Sequence, residues 1–156
     1  MRIPSALFAL YVLGISNTAA PRRFVTWTDR YSVGVARIDE EHQRLLDLVN
    51  ELHAAIVAGT DAAIVGKVLA GLSAYTLTHF EHEELILRRS GYPDVEYHEA
   101  EHQKLVAQLQ GFQQDFRAGN ANVAKNLLVF LQKWLIGHIL LVDRKYASHL
   151  KAAGVT

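Results

Sequence analysis

Hydrophobic positions along this chain recur at the helical period over four long segments, and no segment shows the alternation of a strand. The first stripe reads His42, Leu45, Val49, Leu52, Ile56, and the second Val65, Leu69, Leu72, Thr76, His79, Glu83, Leu87. The third reads Val95, His98, His102, Leu105, Leu109, Phe112, Phe116. The fourth has two lines: Leu127, Leu131, Trp134 and His138 on one, and Leu135, Ile139, Asp143, Tyr146 and Leu150 on the other.

Stop and start signals bound the helices. The first is expected from Asp39 as N-cap to Ala58, with Gly59 ending it, and the second from after Asp61 to about Arg89, before Ser90-Gly91-Tyr92-Pro93. The third runs from an Asp94 N-cap to near Ala118, and the fourth from Asn120 or Asn122 to about Leu150. Short connections make consecutive helices antiparallel neighbours, so the expected fold class is all-α, an up-down-up-down four-helix bundle. Phe24 to Ile38 lacks a period and is broken by Gly34, which suits an extended N-terminal arm. The expected domain spans residues 24–152.

Residues 1–20 stand apart. Arg2, the apolar run Ala6 to Ile15 and the small residues to Ala20 outline a signal peptide, and the run is too short to cross a membrane. A single basic residue and Pro21 immediately after Ala20 argue against cleavage. The other reading is an unstructured extension without a targeting role.

Imidazole and carboxylate side chains interrupt the apolar stripes at seven places: His42, His79, Glu83, His98, His102, His138 and Asp143. Burying one unpaired imidazole or carboxylate costs several kcal/mol in practice, and a shared partner would satisfy all of them together. Their heights agree. His42 is near the start of its helix, His79 and Glu83 near the end of theirs, His98 and His102 near a start, and His138 and Asp143 near an end. In an antiparallel bundle those four ends coincide, and at 1.5 Å per residue the seven fall within very roughly 15 Å of that end. His79/Glu83 and His98/His102 are i,i+4 pairs sharing a helix face. His138 and Asp143 are five apart, about 140° round an ideal helix, which calls for converging side chains, a local distortion or a wide buried face. His53 is at the wrong height, and His82 and His149 read as surface or boundary residues.

Composition narrows the chemistry. The chain has 156 residues, is half hydrophobic, and balances 16 basic against 16 acidic side chains. That suits one globular domain and offers no basic face for nucleic acid. There is no cysteine, which excludes thiolate metal sites and iron–sulfur clusters. Five imidazoles and two carboxylates exceed the four ligands of a structural zinc. Two ions bridged by carboxylates would use them all; the ligand types suit iron and leave zinc, manganese and copper open.

The stretches Trp27 to His42 (WTDRYSVGVARIDEEH), Tyr75 to Glu84 (YTLTHFEHEE), His98 to His102 (HEAEH) and Trp134 to Tyr146 (WLIGHILLVDRKY) resemble the bacterial hemerythrins. The resemblance covers the chain from about residue 24 onward. It implies two iron ions, oxo- or hydroxo-bridged and cycling between Fe2+ and Fe3+. His98, His102 and His138 would bind one iron, His42 and His79 the other, with Glu83 and Asp143 bridging. It also implies reversible dioxygen binding at the second iron, beneath an apolar pocket of Leu45, Phe80, Trp134, Leu135 and Ile139. Ile86 stands where many relatives carry methionine. The expected function is oxygen carriage, storage or delivery, not enzymatic turnover. The alternatives are a di-iron redox enzyme reducing peroxide or nitric oxide, and an iron-binding or sensing module. No stable membrane insertion is expected. The location is cytoplasmic, as usual for such proteins, or periplasmic if residues 1–20 are a signal.

Overall fold

The computed structural model describes residues 22–59 and 62–156, so the reading of residues 1–20 and the role of Asp61 lie outside it. Four helices make up the bundle: α1 (Ala36–Val57), α2 (Ala62–Ser90), α3 (Val95–Arg117) and α4 (Val123–Ala152). No strand occurs among the described residues. Glycines in the left-handed region end the helices where the stop signals placed them. Gly91 (φ 69°) lets Tyr92 N–H reach the Leu87 carbonyl at 3.0 Å, and Gly119 (φ 77°) does the same for Asn120 and Asp115.

The start of α1 differs from the sequence reading. Its N-cap is Val35, and Asp39 is already inside the helix. The Asp39 carboxylate still accepts a backbone N–H, from Val33 at 2.8 Å, and it also accepts the Ser32 hydroxyl at 2.5 Å. It therefore ties the arm to the helix. Asp94 does hold the N-cap position of α3, but without a side-chain capping bond. The arm is irregular apart from a 3₁₀ turn at Asp29–Tyr31. Asn50 clamps it by accepting Val25 N–H at 3.0 Å and donating to the Val25 carbonyl at 2.9 Å.

Helix α4 is continuous but not uniform. It runs as α-helix through Val123–Lys133 and Leu135–His138, widens to a π turn over Ile139–Asp143, and resumes as Arg144–Ala152. At the Trp134 junction the ladder is kept: Trp134 N–H donates to Phe130 O and His138 N–H to Trp134 O, both at 2.7 Å. This helix has the length and apolarity of a membrane span, yet here it is one strut of the bundle, burying Leu127, Leu131, Leu135 and Leu150.

The bundle has two apolar cores. The larger holds Leu45, Val49, Leu52, Leu69, Leu72, Leu105, Leu109, Leu127 and Leu131. The smaller closes one end with Val33 and Val35 of the arm, Ile38, Leu87, Tyr92, Tyr146 and Leu150. Ile38 lies one turn before His42, and Leu87 one turn after Glu83. Polar residues of the stripes therefore sit in a layer with hydrocarbon on both sides, and the arm helps to build the lid.

Candidate metal centre

All seven imidazole and carboxylate residues of the stripes are buried, from fully enclosed His42, Glu83 and Asp143 to His138 at 5% exposure. They meet in that layer. One oxygen of Glu83 lies 2.9 Å from His98 Nε2 and 3.0 Å from His102 Nε2, and the other faces His42 Nε2 at 3.9 Å. Asp143 Oδ1 is 2.9 Å from His138 Nε2 and Oδ2 is 3.2 Å from His42 Nε2. Ligand-type atoms of Glu83, His98, His102, His138 and Asp143 all fall within 4.8 Å of one another. Those of His42, His79 and Glu83 form a second group of the same tightness. Glu83 belongs to both, and Asp143 reaches across to His42.

The π turn accounts for Asp143. Five residues of ideal α-helix would separate it from His138 by about 140°. Widening the turn to i→i+5 bonding stacks the two side chains on one face, so they touch at 2.9 Å. Local distortion, one of the three options the spacing left open, is what the chain uses.

The layer is incompletely satisfied by protein alone. Both ring nitrogens of His42, Nε2 of His102 and His138, and both Asp143 oxygens are buried without an aligned hydrogen bond. Such groups carry a desolvation cost that a bound cation would remove. The donor set of imidazole nitrogens and carboxylate oxygens fits a transition-metal ion, and two groups sharing a carboxylate fit two.

Around this layer lie residues that stripe-counting missed. Glu41, 8% exposed, accepts His79 Nδ1–H at 3.0 Å and His82 Nδ1–H at 2.7 Å. Arg37 adds a bond to Glu41 at 3.2 Å and one to His82 Nε2 at 2.9 Å. His82, a half-buried boundary residue, is therefore tied to the layer, because Glu41, which accepts from it, also holds His79. Glu84 accepts His102 Nδ1–H at 2.8 Å, and the Tyr146 hydroxyl donates to Glu83. These contacts fix ring orientation so that His79 and His102 turn Nε2 inward. Tyr146 lay on the apolar line of α4, and a buried phenol needs a hydrogen-bond partner, so that signal was present. His53 packs on Phe24 and His149 on Tyr92, both away from the layer.

Aromatic rings shield the histidines. Phe80 stacks on His102 with centroids 3.6 Å apart, and Trp134 stacks on His138 at 4.8 Å. Leu45, Leu135 and Ile139, each no more than 2% exposed, belong to the larger core with Phe80.

Electrostatics follow from burial and contact. Burial pushes the Glu41 carboxyl up, but hydrogen bonds from His79, His82 and Arg37 outweigh it and bring it down to about 2. Burial and the neighbouring Glu83 oppose ionisation of Asp143, yet His138 and His42 hold it at about 2. Burial disfavours charge on His102, while Glu83 and Glu84 raise it to about 9.

A helical bundle enclosing such a layer defines a cation-binding helical protein. Residues 33–150 match the model of the hemerythrin HHE cation-binding domain, and the chain belongs to the hemerythrin family. It is 37% identical over 129 residues to a bacteriohemerythrin of Methylococcus capsulatus, covering 82% of this chain and 98% of that one. A myohemerythrin of Theromyzon tessulatum is 27% identical over 124 residues, covering 80% and 92%. The crystal structure of a wild-type hemerythrin superposes with a TM-score of 0.75 at 36% identity, covering 81% of this chain and 98% of that one.

Proposed function

We propose that this chain binds dioxygen reversibly at a centre of two iron ions. His98, His102 and His138 would hold one ion and His42 and His79 the other, with Glu83 and Asp143 shared. One observation carries the reading: a buried layer in which two groups of ligand-type atoms share Glu83, with several of those atoms left without hydrogen bonds. The names of the relatives support oxygen binding in place of another use of such a site. When bound, the iron pair would supply reversible two-electron exchange with dioxygen.

The remaining work falls to the chain. Glu41 and Glu84 hold the Nδ1 protons of His79 and His102 and keep Nε2 available. Tyr146 holds one Glu83 oxygen by donating to it. The five pocket residues, Leu45, Phe80, Trp134, Leu135 and Ile139, exclude water from the layer, with Phe80 and Trp134 flat against two histidines. A dry layer would favour reversible exchange over turnover.

Metal quantitation with optical spectra in air and under argon tests this directly. About two irons per chain are expected, with bands that vanish under argon and return in air. One zinc per chain, or iron bands that air bleaches permanently, would overturn it.

A further inference from the structure

Three surface depressions run end to end along the groove between α2 and α3. The first, of about 540 Å³, lies beside the metal layer and has Leu77, Glu81 and Leu85 on its wall. It shares Leu77, Val106 and Gln110 with a second, of about 280 Å³. That one shares Ala70 and Gln113 with a third, of about 410 Å³, which reaches Lys67 and Arg117. The arm covers α1 instead, through Val25 and Asn50. Leu77 and Leu85 stand 54% and 45% exposed over the groove.

The wall formed by α2 has polarity in two respects. Large side chains, Leu77 and Leu85, occupy the half near the metal layer, and small ones, Ala63, Ala70 and Ala74, occupy the other. Acidic Glu81 marks the first half and basic Lys67 the second, and among the described residues no ion pair engages either. Ala63, Lys67, Ala70, Ala74, Leu77, Glu81 and Glu84 step by alternate fours and threes, the repeat of a helix–helix seam.

We propose that a second copy of this chain docks here, α2 against α2, antiparallel about a two-fold axis at Ala74. Lys67 and Glu81 are each seven residues from Ala74, so each meets the other in the partner copy. Leu77 then lies over the partner's Gly71 and Leu85 over the partner's Ala63, large against small. A two-fold interface requires this self-complementarity. From Ala63 to Arg88 the helix is about 38 Å long, and two helices are about 20 Å wide. The footprint is on the order of 700 Å² per copy, close to the ~800 Å² per partner of a standard stable interface.

Sedimentation of the full chain tests it. At about 50 µM the wild type should sediment at twice its 17.4 kDa chain mass. Glu81→Lys and Lys67→Glu each replace two attractive contacts by repulsive ones, and each should raise Kd at least ~10-fold. Both sites are exposed, so helicity by circular dichroism should not change. The double charge exchange should restore Kd to within about threefold of wild type. A monomeric wild type at that concentration overturns the proposal. So does a dimer indifferent to Glu81→Lys, or a double exchange as weak as the single ones.

Discussion

Replacing Glu41 by leucine removes the acceptor for His79 Nδ1–H and His82 Nδ1–H at once. Two magnitudes follow. In the metal-free chain, a carboxyl held at about 2 against its ordinary 4.5 represents at most about 3 kcal/mol at neutral pH. The Arg37 and His82 side of the contact reaches solvent, and screening lowers the figure to ~1–2 kcal/mol. If His79 ligates a metal as proposed, freeing its imidazole from the orienting carboxylate should cost roughly 10–100-fold in metal affinity, about 1.4–2.8 kcal/mol. Glu41→Gln keeps one acceptor oxygen. His82, with a side chain 30% exposed, can turn to water while the amide oxygen serves His79. That variant should lose no more than about fivefold in affinity. Neighbouring Glu40 is exposed, and Glu40→Gln is the control. Urea unfolding of the apo forms and competition of ferrous iron against a chromophoric chelator give the two numbers. If Glu41→Leu binds iron within about threefold of the parent, Glu41 does not position His79 and the reasoning fails.

Three further outcomes are expected. Glu83→Leu should lose the proposed two-metal centre, since one side chain serves both groups of ligand-type atoms, while His53→Leu should keep it; equal metal loss in elemental analysis would contradict the common layer. The metal-free chain should be most stable between about pH 4.5 and 6.5. Glu41 and Asp143 are depressed, so their contribution is complete above their ordinary 4.5 and 3.8 and is lost as pH falls through about 2. His102 is raised, so its contribution is complete below 6.5 and is lost as pH rises through about 9. Metal uptake needs neutral imidazoles and should strengthen over that alkaline range; apo melts and iron titrations with parallel pH trends would count against this. Deleting Leu141, 69% exposed within the π turn, should return His138 and Asp143 to four-residue spacing in a regular helix. Retained helicity and metal content are expected, and loss of the fold would show that the π turn does more than absorb one residue.

The layer was legible in the sequence because helix periodicity reports direction and residue count reports height. Those two coordinates place His42, His79, Glu83, His98 and His102 without further information. Side-chain pairs outside the stripes were not legible. Glu41 lies one residue before His42, about 100° of helix rotation off the stripe, where a residue reads as boundary. Its burial depends on His82 and Arg37 from two different helices packing over it, a tertiary fact without a local mark. Asp39 shows the converse. The sequence makes it the N-cap, whereas the structure puts it inside α1, where the N–H it captures is Val33 of the arm. Chemistry of the side chain was legible, and the partner was not.

Asp143 unites these strands, because its spacing looked like the weakest evidence and turns out to carry the most structural information. A carboxylate on an i,i+4 register could be placed by a uniform helix and would say nothing about the backbone. At i,i+5 it requires a helix that widens, and widening is unfavourable unless something is gained at that point. In this chain the widened turn brings Asp143 to His138 at 2.9 Å and to His42 at 3.2 Å, while Tyr146 beyond it still reaches Glu83. The exposed Leu141 is the residue the turn expels. A bundle selected for stability alone would have no reason to keep that extra residue beside a buried carboxylate that costs free energy to desolvate. The distortion and the unsatisfied oxygens of Asp143 coincide in one turn, and a bound cation shared across the layer accounts for both.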